Sequence, residues 1–279
     1  MKITTLVENT TSNRNLGFEH GLSLFVEAKE KTILFDTGAS DLFAKNAEKL
    51  GIDLQEADLV ILSHGHYDHG GGIHTFFAIN TTAPLYARKE AFGPYYSQRS
   101  DGEYHYIGVD QELLRDNRVI FTSALTPISE GIFLFSKVEG KRFIPTGNKS
   151  LYRKEGESYR EDSFTHEQYL AIKEGDEHVL ISGCSHRGIV NILDAFRDEF
   201  GHFPTRVIGG FHLYNHRTGK PEDPEVLDQI ASILLESKAD FYTCHCTGEE
   251  NYAYLKEKMG DSVHYLSGGD ILDFSGTQE

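Results

Sequence analysis

Short apolar runs recur along the whole chain and alternate with polar, turn-forming segments. Apolar runs of this length, bounded by such segments, are typical of β-strands. We predict strands over residues 3–8, 22–28, 32–36, 60–63, 84–87, 119–122, 132–135, 179–182, 206–208 and 240–243. The second and third of these strands are expected to form a hairpin.

Apolar residues spaced three or four positions apart predict helices between the strands. Ser40 is a suitable N-cap for the first helix, which Gly51 ends. Further helices are predicted to begin at Ile73 and to lie over residues 189–200, 224–235 and 249–259. Strands dominate the first half of the chain and alternate with helices in the second. This order predicts an α+β fold in which sheets pack face to face with helices outside.

Two long polar segments, residues 94–111 and 141–165, interrupt this pattern. Long irregular segments inside a compact chain are usually either covers of a functional site or surface loops. The first contains Tyr95 and Tyr96, whose flat faces and hydroxyl groups suit a ring-bearing or sugar-like substrate. Local packing or a subunit contact explains these tyrosines equally well. We expect one domain over residues 1–279 that carries both segments as insertions.

Composition and charge narrow the classes of partner. The formal charge of −16 over 279 residues argues against a nucleic-acid partner held by broad electrostatics. A small phosphorylated substrate stays compatible, because bound metal ions can outweigh a distant negative surface. The chain has no apolar run long enough to span a membrane, and its start becomes polar too early for a signal peptide. Three cysteines give no disulfide framework. We therefore expect a cytoplasmic protein without a membrane partner, and a homo-oligomer is compatible with the sequence.

The most informative segment follows the predicted strand 60–63. It contains His64, His66, Asp68 and His69 within six residues, and three glycines come directly afterwards. Neutral imidazole and carboxylate are ligands of zinc, manganese and iron. His64 and His66 alternate, so both can face one ion, whereas Asp68 and His69 follow a turn and can reach a second position. The segment predicts one or two divalent metal ions, with zinc expected first and iron or manganese as alternatives.

This His-x-His-x-Asp-His segment, together with Leu34-Phe35-Asp36-Thr37-Gly38, resembles the metallo-β-lactamase superfamily of hydrolases. More narrowly, the chain resembles the dihydropterin ribofuranosyl-aminobenzene phosphate synthase-like subgroup. The motifs that it shares with this subgroup are Glu19-His20-Gly21-Leu22-Ser23, Gly183-Cys184-Ser185-His186, Gly209-Gly210-Phe211-His212 and His245-Cys246-Thr247-Gly248. The resemblance covers nearly the whole chain. It implies a four-layer αβ/βα sandwich, a dinuclear metal site held by the motif, and Asp36 as the residue that orients a ligand histidine.

Two departures from the superfamily pattern concern the remaining ligands. Cys184 stands where the superfamily has an aspartate that bridges the metals. A thiolate can bridge zinc or iron, but it is softer than a carboxylate and open to oxidation. Cys184 can also be a non-ligand, with His186 in its role, because both lie on one face of the strand end. No histidine lies near residues 123–127, where the usual third motif falls, and His186 is the expected replacement.

The resemblance assigns His245 to the final motif histidine, which completes the second metal position. Strand alternation places Cys244 and Cys246 opposite His245, so we expect both cysteines to pack in the core, with a Cys-x-Cys metal site as the alternative. His212 is assigned to substrate contact or proton transfer first and to metal binding second. His20 is expected to contact the substrate unless its role is structural. Packing or surface positions are expected for the histidines at 74, 105, 166, 178, 202, 216 and 264.

These residues predict a metal-dependent hydrolase that uses a metal-activated water on an ester or phosphoester. Asp68 would hold a metal and orient the nucleophile, and His212 would protonate the leaving group or bind the developing anion. The alternative is a transferase or synthase acting on a pterin or ribofuranosyl-aminobenzene phosphate, as the subgroup label implies. His66 argues against a di-iron oxidoreductase, because such superfamily members resemble His-x-Glu-x-Asp. The intact motif argues against a binding module that has lost its chemistry.

Overall fold

The computed structural model describes residues 1–215 and 217–274, and its strands and helices are numbered in chain order. The first of two seven-stranded sheets contains β1 (Lys2–Val7), β2 (Ser23–Ala28), β3 (Lys31–Phe35), β4 (Leu59–Ile61), β5 (Leu85–Ala87), β8 (Val119–Phe121) and β20 (Ile271–Asp273). Their order across the sheet is β20-β1-β2-β3-β4-β5-β8. Pairing is antiparallel from β20 to β3 and parallel from β3 to β8.

The second seven-stranded sheet is built in the same mixed manner. It contains β9 (Leu125–Ser129), β10 (Ile132–Phe135), β13 (Tyr169–Glu174), β14 (Glu177–Ile181), β15 (Arg206–Gly209), β18 (Asp240–Thr243) and β19 (Val263–Tyr265). Their order is β19-β18-β15-β14-β13-β10-β9. The strands from β19 to β14 are parallel, and those from β14 to β9 are antiparallel. Each sheet therefore has a parallel half whose strand ends can meet at one edge.

Helices cover the outer faces of both sheets. They are α1 (Leu42–Lys49), α2 (Tyr67–Gly70), α3 (Ile73–Ile79), α4 (Ile189–Phe200), α5 (Pro224–Glu236) and α6 (Glu249–Met259). The first helix begins at Leu42, with Asp41 rather than Ser40 at its N-cap, while the Ser40 hydroxyl accepts the N–H of Leu42. No helix in the described part of the chain combines the length and the apolar character needed to cross a bilayer.

Three apolar clusters fill the spaces between the layers. The central cluster joins inward-facing residues of the two sheets, such as Phe35 and Ile61 on one and Leu170 and Ile208 on the other. A second cluster packs the first sheet against α1 and α3, and a third packs the second sheet against α4, α5 and α6. Fully burying one such apolar side chain contributes roughly 1.5–3 kcal/mol to folding. The layer order helix, sheet, sheet, helix confirms the predicted αβ/βα sandwich.

The two polar segments meet in a small antiparallel sheet beside the sandwich. It contains β6 (Tyr95–Gln98), β7 (Tyr104–Tyr106), β11 (Leu151–Glu155) and β12 (Ser158–Glu161), in the order β12-β11-β6-β7. A two-stranded pair, β16 (Tyr214–Asn215) and β17 (Lys220–Pro221), lies elsewhere in the chain. The segments around 94–111 and 141–165, distant in sequence, therefore build one structural unit.

Candidate metal centre

The chemically reactive side chains follow the ends of the parallel strands. Five of these strands, β3, β4, β14, β15 and β18, lead into Asp36, residues 63–69, residues 183–186, residues 210–212 and His245. Four residues in these turns have positive φ, namely Asp36 (59°), Ser185 (59°), His212 (50°) and His245 (52°). This conformation is costly for residues other than glycine, and such strain concentrates at functional sites.

One cluster of potential ligands consists of three buried histidines. His64 Nε2 lies 3.1 Å from His66 Nδ1. The ring of His186 lies 4.9 Å from that of His64 and 5.0 Å from that of His66, between ring centroids. One nitrogen from each ring lies within 4.8 Å of the others, a spacing suited to a shared metal ion. His186, the expected replacement for the missing third-motif histidine, is the third member of this cluster.

A second cluster combines Asp68, His69 and His245. His69 Nε2 lies 3.2 Å from His245 Nε2, and Asp68 Oδ2 lies 3.3 Å from His245 Nε2 and 3.8 Å from His69 Nε2. His20 Nε2 lies 3.2 Å from the same carboxylate oxygen, which adds His20 to this group. The His20 side chain is 41% exposed, so it closes the cluster on the solvent side.

Cys184 lies between the two clusters. Its Sγ is 3.2 Å from His69 Nε2, and it falls within 4.8 Å of ligand atoms of both His64 and His69. Burial raises the pKa of the Cys184 thiol, so a metal ion is needed to favour the thiolate at neutral pH. Gly183 allows this approach, because a Cβ there would lie 2.3 Å from Ser63 Oγ.

Hydrogen bonds fix the tautomers of the ligand histidines. Three Nδ1 atoms face oxygens that can only accept, in the pairs His69–Asp36 (2.7 Å), His186–Asn148 (2.9 Å) and His245–Asn9 (2.8 Å). Each Nδ1 therefore carries the proton, and each Nε2 has a free lone pair. In His64, Nδ1 donates to Ser63 Oγ at 2.9 Å, because that hydroxyl itself donates to Asp36.

The resulting arrangement fits cations. The Nε2 atoms of His69 and His245 face each other at 3.2 Å, and in the neutral tautomers, with both protons on Nδ1, neither atom can donate to the other. The buried Nε2 atoms of His66 and His186 have no hydrogen-bond partner among the described residues. Buried polar atoms are almost always satisfied, so converging lone pairs of this kind indicate a metal ligand set. The residues present thus fit a pair of divalent ions.

Burial keeps most of these imidazoles neutral. It lowers the pKa of His66 and of His245 to about 3, and it lowers the pKa of His64 and His186 well below the usual value. Burial also lowers the pKa of His69, but the carboxylates of Asp36 and Asp68 outweigh it, so this pKa is raised. Neutral imidazole is the metal-binding form.

Burial alone would raise the pKa of the Asp68 carboxyl. Its neighbours His69, His20 and His245 outweigh that effect and hold the pKa of Asp68 well below its usual value. Asp68 is therefore a carboxylate at neutral pH, and it gives the second cluster an anionic ligand.

The sequence did not indicate the buried residues that hydrogen-bond to the backbone of the ligand segments. Glu8 accepts the backbone N–H of His245 at 2.6 Å, and Glu167 accepts that of His186 at 2.7 Å. Burial raises the pKa of both glutamates. His166, expected only to pack or lie on the surface, is buried and accepts the Gly65 N–H at 3.0 Å while it donates to a carboxylate oxygen of Asp162. No local motif marks these residues, because their partners are far away in sequence.

The ligand clusters open into a cleft of about 160 Å³. His20 and His212 line it, as does the ligand Asp68. The His212 ring is 4.2 Å from that of His186, between centroids. Gly147 leaves room for it, because a Cβ there would lie 3.0 Å from His212 Nε2. The two histidines predicted to contact substrate or move protons are therefore placed beside the ligands.

The predicted substrate contacts Tyr95 and Tyr96 are wrong, because neither residue lines the cleft. Tyr95 is 1% exposed, its hydroxyl donates to the Glu90 carbonyl, and its ring packs 4.1 Å from that of His166. Tyr96 faces the other side of the small sheet, against Tyr106. Strand alternation thus places one tyrosine in the packing beneath the cleft and the other on the outer face.

The expectation that Cys246 faces away from the site is also wrong. Cys244 is buried in the central core, but Cys246 lines the cleft, and its Sγ is within 4.8 Å of ligand atoms of Cys184 and His245. The cause is local, since β18 ends at Thr243 and a tight turn follows with His245 at positive φ, so alternation no longer holds. His216, expected to serve packing or the surface, lies outside the described residues.

Comparisons with known proteins agree with this site. A model of the metallo-beta-lactamase superfamily matches residues 16–147. The chain is 28% identical over 291 residues to 7,8-dihydropterin-6-methyl-4-(β-D-ribofuranosyl)-aminobenzene-5'-phosphate synthase of Methanocaldococcus jannaschii, covering 98% of this chain and 97% of that protein. The crystal structure of Tm1679, described as a metal-dependent hydrolase of the β-lactamase superfamily, is 33% identical with a TM-score of 0.82, covering 98% of both chains. The predicted resemblance is confirmed: this chain belongs to the metallo-β-lactamase superfamily.

Proposed function

We propose that this enzyme is a metal-dependent hydrolase of a small phosphoester, with a dinuclear zinc centre. The observation that carries the proposal is the pair of ligand clusters, His64/His66/His186 and Asp68/His69/His245, at the floor of one cleft. Bound there, divalent metals would supply Lewis acidity to a phosphoryl oxygen and lower the pKa of a water toward neutrality. The phosphorylated substrate class draws support from the relative whose name specifies a 5'-phosphate product.

The side chains divide the work by position. His64, His66 and His186 present neutral nitrogens to one ion, and Asp68 brings a negative charge to the other. Cys184, which lies between them, is proposed to bind both. Burial of these groups excludes bulk water and strengthens their electrostatic interactions with a bound substrate.

His212 is the proposed proton donor to the leaving group. It lines the cleft beside His186 and belongs to neither of the two ligand clusters. A general acid must lie within hydrogen-bond reach of the atom that it protonates. The strained turn after β15 places His212 at the wall of the cleft, where it would reach the leaving group of a bound substrate. His20, on the opposite side of Asp68, is proposed to contact the substrate or to assist the second cluster.

The test is hydrolysis of a phosphoester panel by untagged protein loaded in turn with zinc, manganese or ferrous iron, in water enriched in oxygen-18. We expect turnover of at least one phosphoester, one heavy oxygen in each product phosphate, and loss of turnover in Asp68→Asn. Absence of turnover with every metal and substrate would overturn the hydrolase proposal.

A synthase is the second candidate, and one observation favours it. The relative that matches over 98% of this chain is named as a synthase of a dihydropterin-linked ribofuranosyl aminobenzene phosphate. The same oxygen-18 experiment separates the two functions when an aromatic amine and a reduced pterin that carries a diphosphate leaving group on its methyl carbon are added. A synthase would form the bond between the amine nitrogen and that carbon and release the diphosphate without incorporating solvent oxygen. A hydrolase would give the same labelled phosphate with or without the added compounds.

A further inference from the structure

The small sheet supplies one wall of the cleft, opposite the metal ligands. Ser97 in β6 and Arg99 just beyond it both line the cleft, whereas Tyr96 packs on the other face. This division follows from strand alternation, which places residues two apart on the same side. Residues from the polar segment 94–111 therefore reach the site, although they are not the tyrosines that sequence reasoning selected.

Arg99 is the only arginine or lysine among the described residues that line the cleft. Within the described part of the chain its guanidinium makes no salt bridge, in contrast to Arg118 with Asp116 or Arg206 with Glu177. The protein as a whole has a formal charge of −16, so a lone cation at the mouth is a strong local feature. No carboxylate among the described residues forms an ion pair with Arg99, which leaves its guanidinium available to a ligand.

Hydrogen bonds hold the backbone of Arg99 in a defined place. Arg99 N–H donates to the Glu103 carbonyl at 2.9 Å, and Gly102 N–H donates to the Arg99 carbonyl at 3.0 Å. Asp101 caps the same turn by accepting the Glu103 N–H at 2.9 Å. These bonds close the hairpin between β6 and β7, so Arg99 starts from a fixed position rather than from an open loop. The Ser97 hydroxyl has no hydrogen bond to another described residue and lines the cleft on the same side.

We propose that Arg99 and Ser97 form a subsite for a second phosphate of the substrate, remote from the phosphoester held over the metal ligands. The inference rests on the proposed function, because the ligand clusters must bind the other end. A guanidinium offers two parallel N–H groups to an oxyanion, and the serine hydroxyl supplies a further donor. A phosphate offers these donors three terminal oxygens and up to two negative charges, whereas a carboxylate offers two oxygens and one charge. The expected substrate therefore carries phosphates at two separated positions.

The test compares two sugar phosphates by calorimetric titration of the metal-loaded protein. Glucose 1-phosphate offers one anionic group, and glucose 1,6-bisphosphate offers two at opposite ends. We expect the wild type to prefer the bisphosphate by about tenfold or more, the range of a charge-assisted bidentate contact. Arg99→Ala should abolish that preference and leave monophosphate affinity within about threefold, and Arg99→Lys should retain part of it.

Arg153→Ala is the matched control. Arg153 lies on β11 of the same small sheet, is exposed, and does not line the cleft, so its removal changes the net charge equally. Equal binding of the two sugars by the wild type would overturn the subsite, as would an unchanged preference in Arg99→Ala or an equal loss in Arg153→Ala. Calorimetry measures binding without turnover. A protein that binds both sugar phosphates but hydrolyses no phosphoester would therefore contradict the proposed function, while the effect of Arg99→Ala on binding could still be measured.

Discussion

The two ligand clusters differ in charge although they share one cleft. The cluster of His64, His66 and His186 offers only neutral imidazoles. The cluster of His69 and His245 includes the Asp68 carboxylate, and a second carboxylate, Asp36, is bonded to His69 from behind. A divalent cation gains more from a site that carries negative charge. The second cluster should therefore hold its ion more tightly.

The comparison explains why Cys184 matters. A thiolate between the clusters would give the neutral cluster a negatively charged ligand. The buried thiol resists ionisation in the metal-free protein, so binding of the ion and loss of the proton must occur together. Affinity of the first cluster should accordingly rise with pH, because an ion bound there displaces the thiol proton.

The largest effect is expected from Asp68→Asn, which removes the charge that distinguishes the clusters. The amide keeps the shape but gives up the anion that binds the second ion. We expect kcat/KM for a phosphoester to fall by roughly 10²–10³-fold, the range for losing a group that stabilises transition-state charge. Asp110→Asn, an exposed aspartate bonded to His74, is the control. A loss of less than about tenfold would place Asp68 outside the machinery.

A change at Cys184 should alter which metal is preferred. Cys184→Asp replaces a soft ligand by a hard one and should move the preference from zinc toward manganese. We expect the ratio of the two dissociation constants to change by about tenfold, or about 1.4 kcal/mol. Competition titrations with the two metals measure it, and Cys244→Ser, a buried cysteine of the central core, is the control. An unchanged ratio would show that the thiol does not bind the metals.

Removing the hydrogen-bond partners behind the histidines should weaken the clusters unequally. Asp36→Asn removes a charged partner of His69, and Asn148→Ala removes a neutral partner of His186. Losses of such partners cost about 10–100-fold in metal affinity. We expect Asp36→Asn near the upper end and Asn148→Ala near the lower end, measured by chelator competition. The reverse order would contradict the charge difference between the clusters.

The smallest effect is expected in the pH dependence of the stability of the metal-free protein, where the two clusters should behave alike. In the metal-free protein burial lowers the pKa of His66 and of His245 to about 3, against about 6.5 for a histidine in an unfolded chain. Below about pH 6.5 the unfolded chain binds protons that the folded chain excludes, so stability falls as pH decreases toward 3. Each histidine contributes roughly 1.4 kcal/mol per pH unit in that window.

Urea unfolding of the metal-free protein at about pH 6.5 and about pH 5 measures this slope. His66→Gln and His245→Gln should each make the slope shallower by a similar amount, one residue from each cluster. His264→Gln, a partly exposed histidine stacked on Tyr242, should leave the slope unchanged. Equal slopes in wild type and both site variants would mean that these histidines protonate freely in the fold.

The site was predictable where its residues are close in sequence. His64, His66, Asp68 and His69 follow one buried strand, and their spacing alone predicted two neighbouring positions. The partners behind them were not predictable, because each comes from far away, as Glu8 does in binding the backbone of His245, 237 residues later. An isolated glutamate or asparagine forms no sequence motif with a partner that lies far away in the chain, so its contact becomes visible only in the folded structure.

Prediction of the strands and helices was limited in the same way. Long periodic segments such as α4 and α6 match their predicted bounds of 189–200 and 249–259. The unpredicted strands include the edge strand β9, which contains Pro127, and β19 and β20, which have three residues each. Proline interrupts β9, and a polar residue interrupts each of β19 and β20, so these strands lack the apolar run that marks the equally short β4, β5 and β8. The small sheet was missed because its strands come from two segments that pair only in the folded chain.

The most direct test of the unequal clusters is the metal content of untagged protein by elemental mass spectrometry after zinc loading and desalting. We predict close to two equivalents in the wild type, close to one in His186→Ala, and less than one in Asp68→Asn, because only the charged cluster retains its ion unaided. One equivalent in the wild type, or equal content in the two variants, would contradict the account.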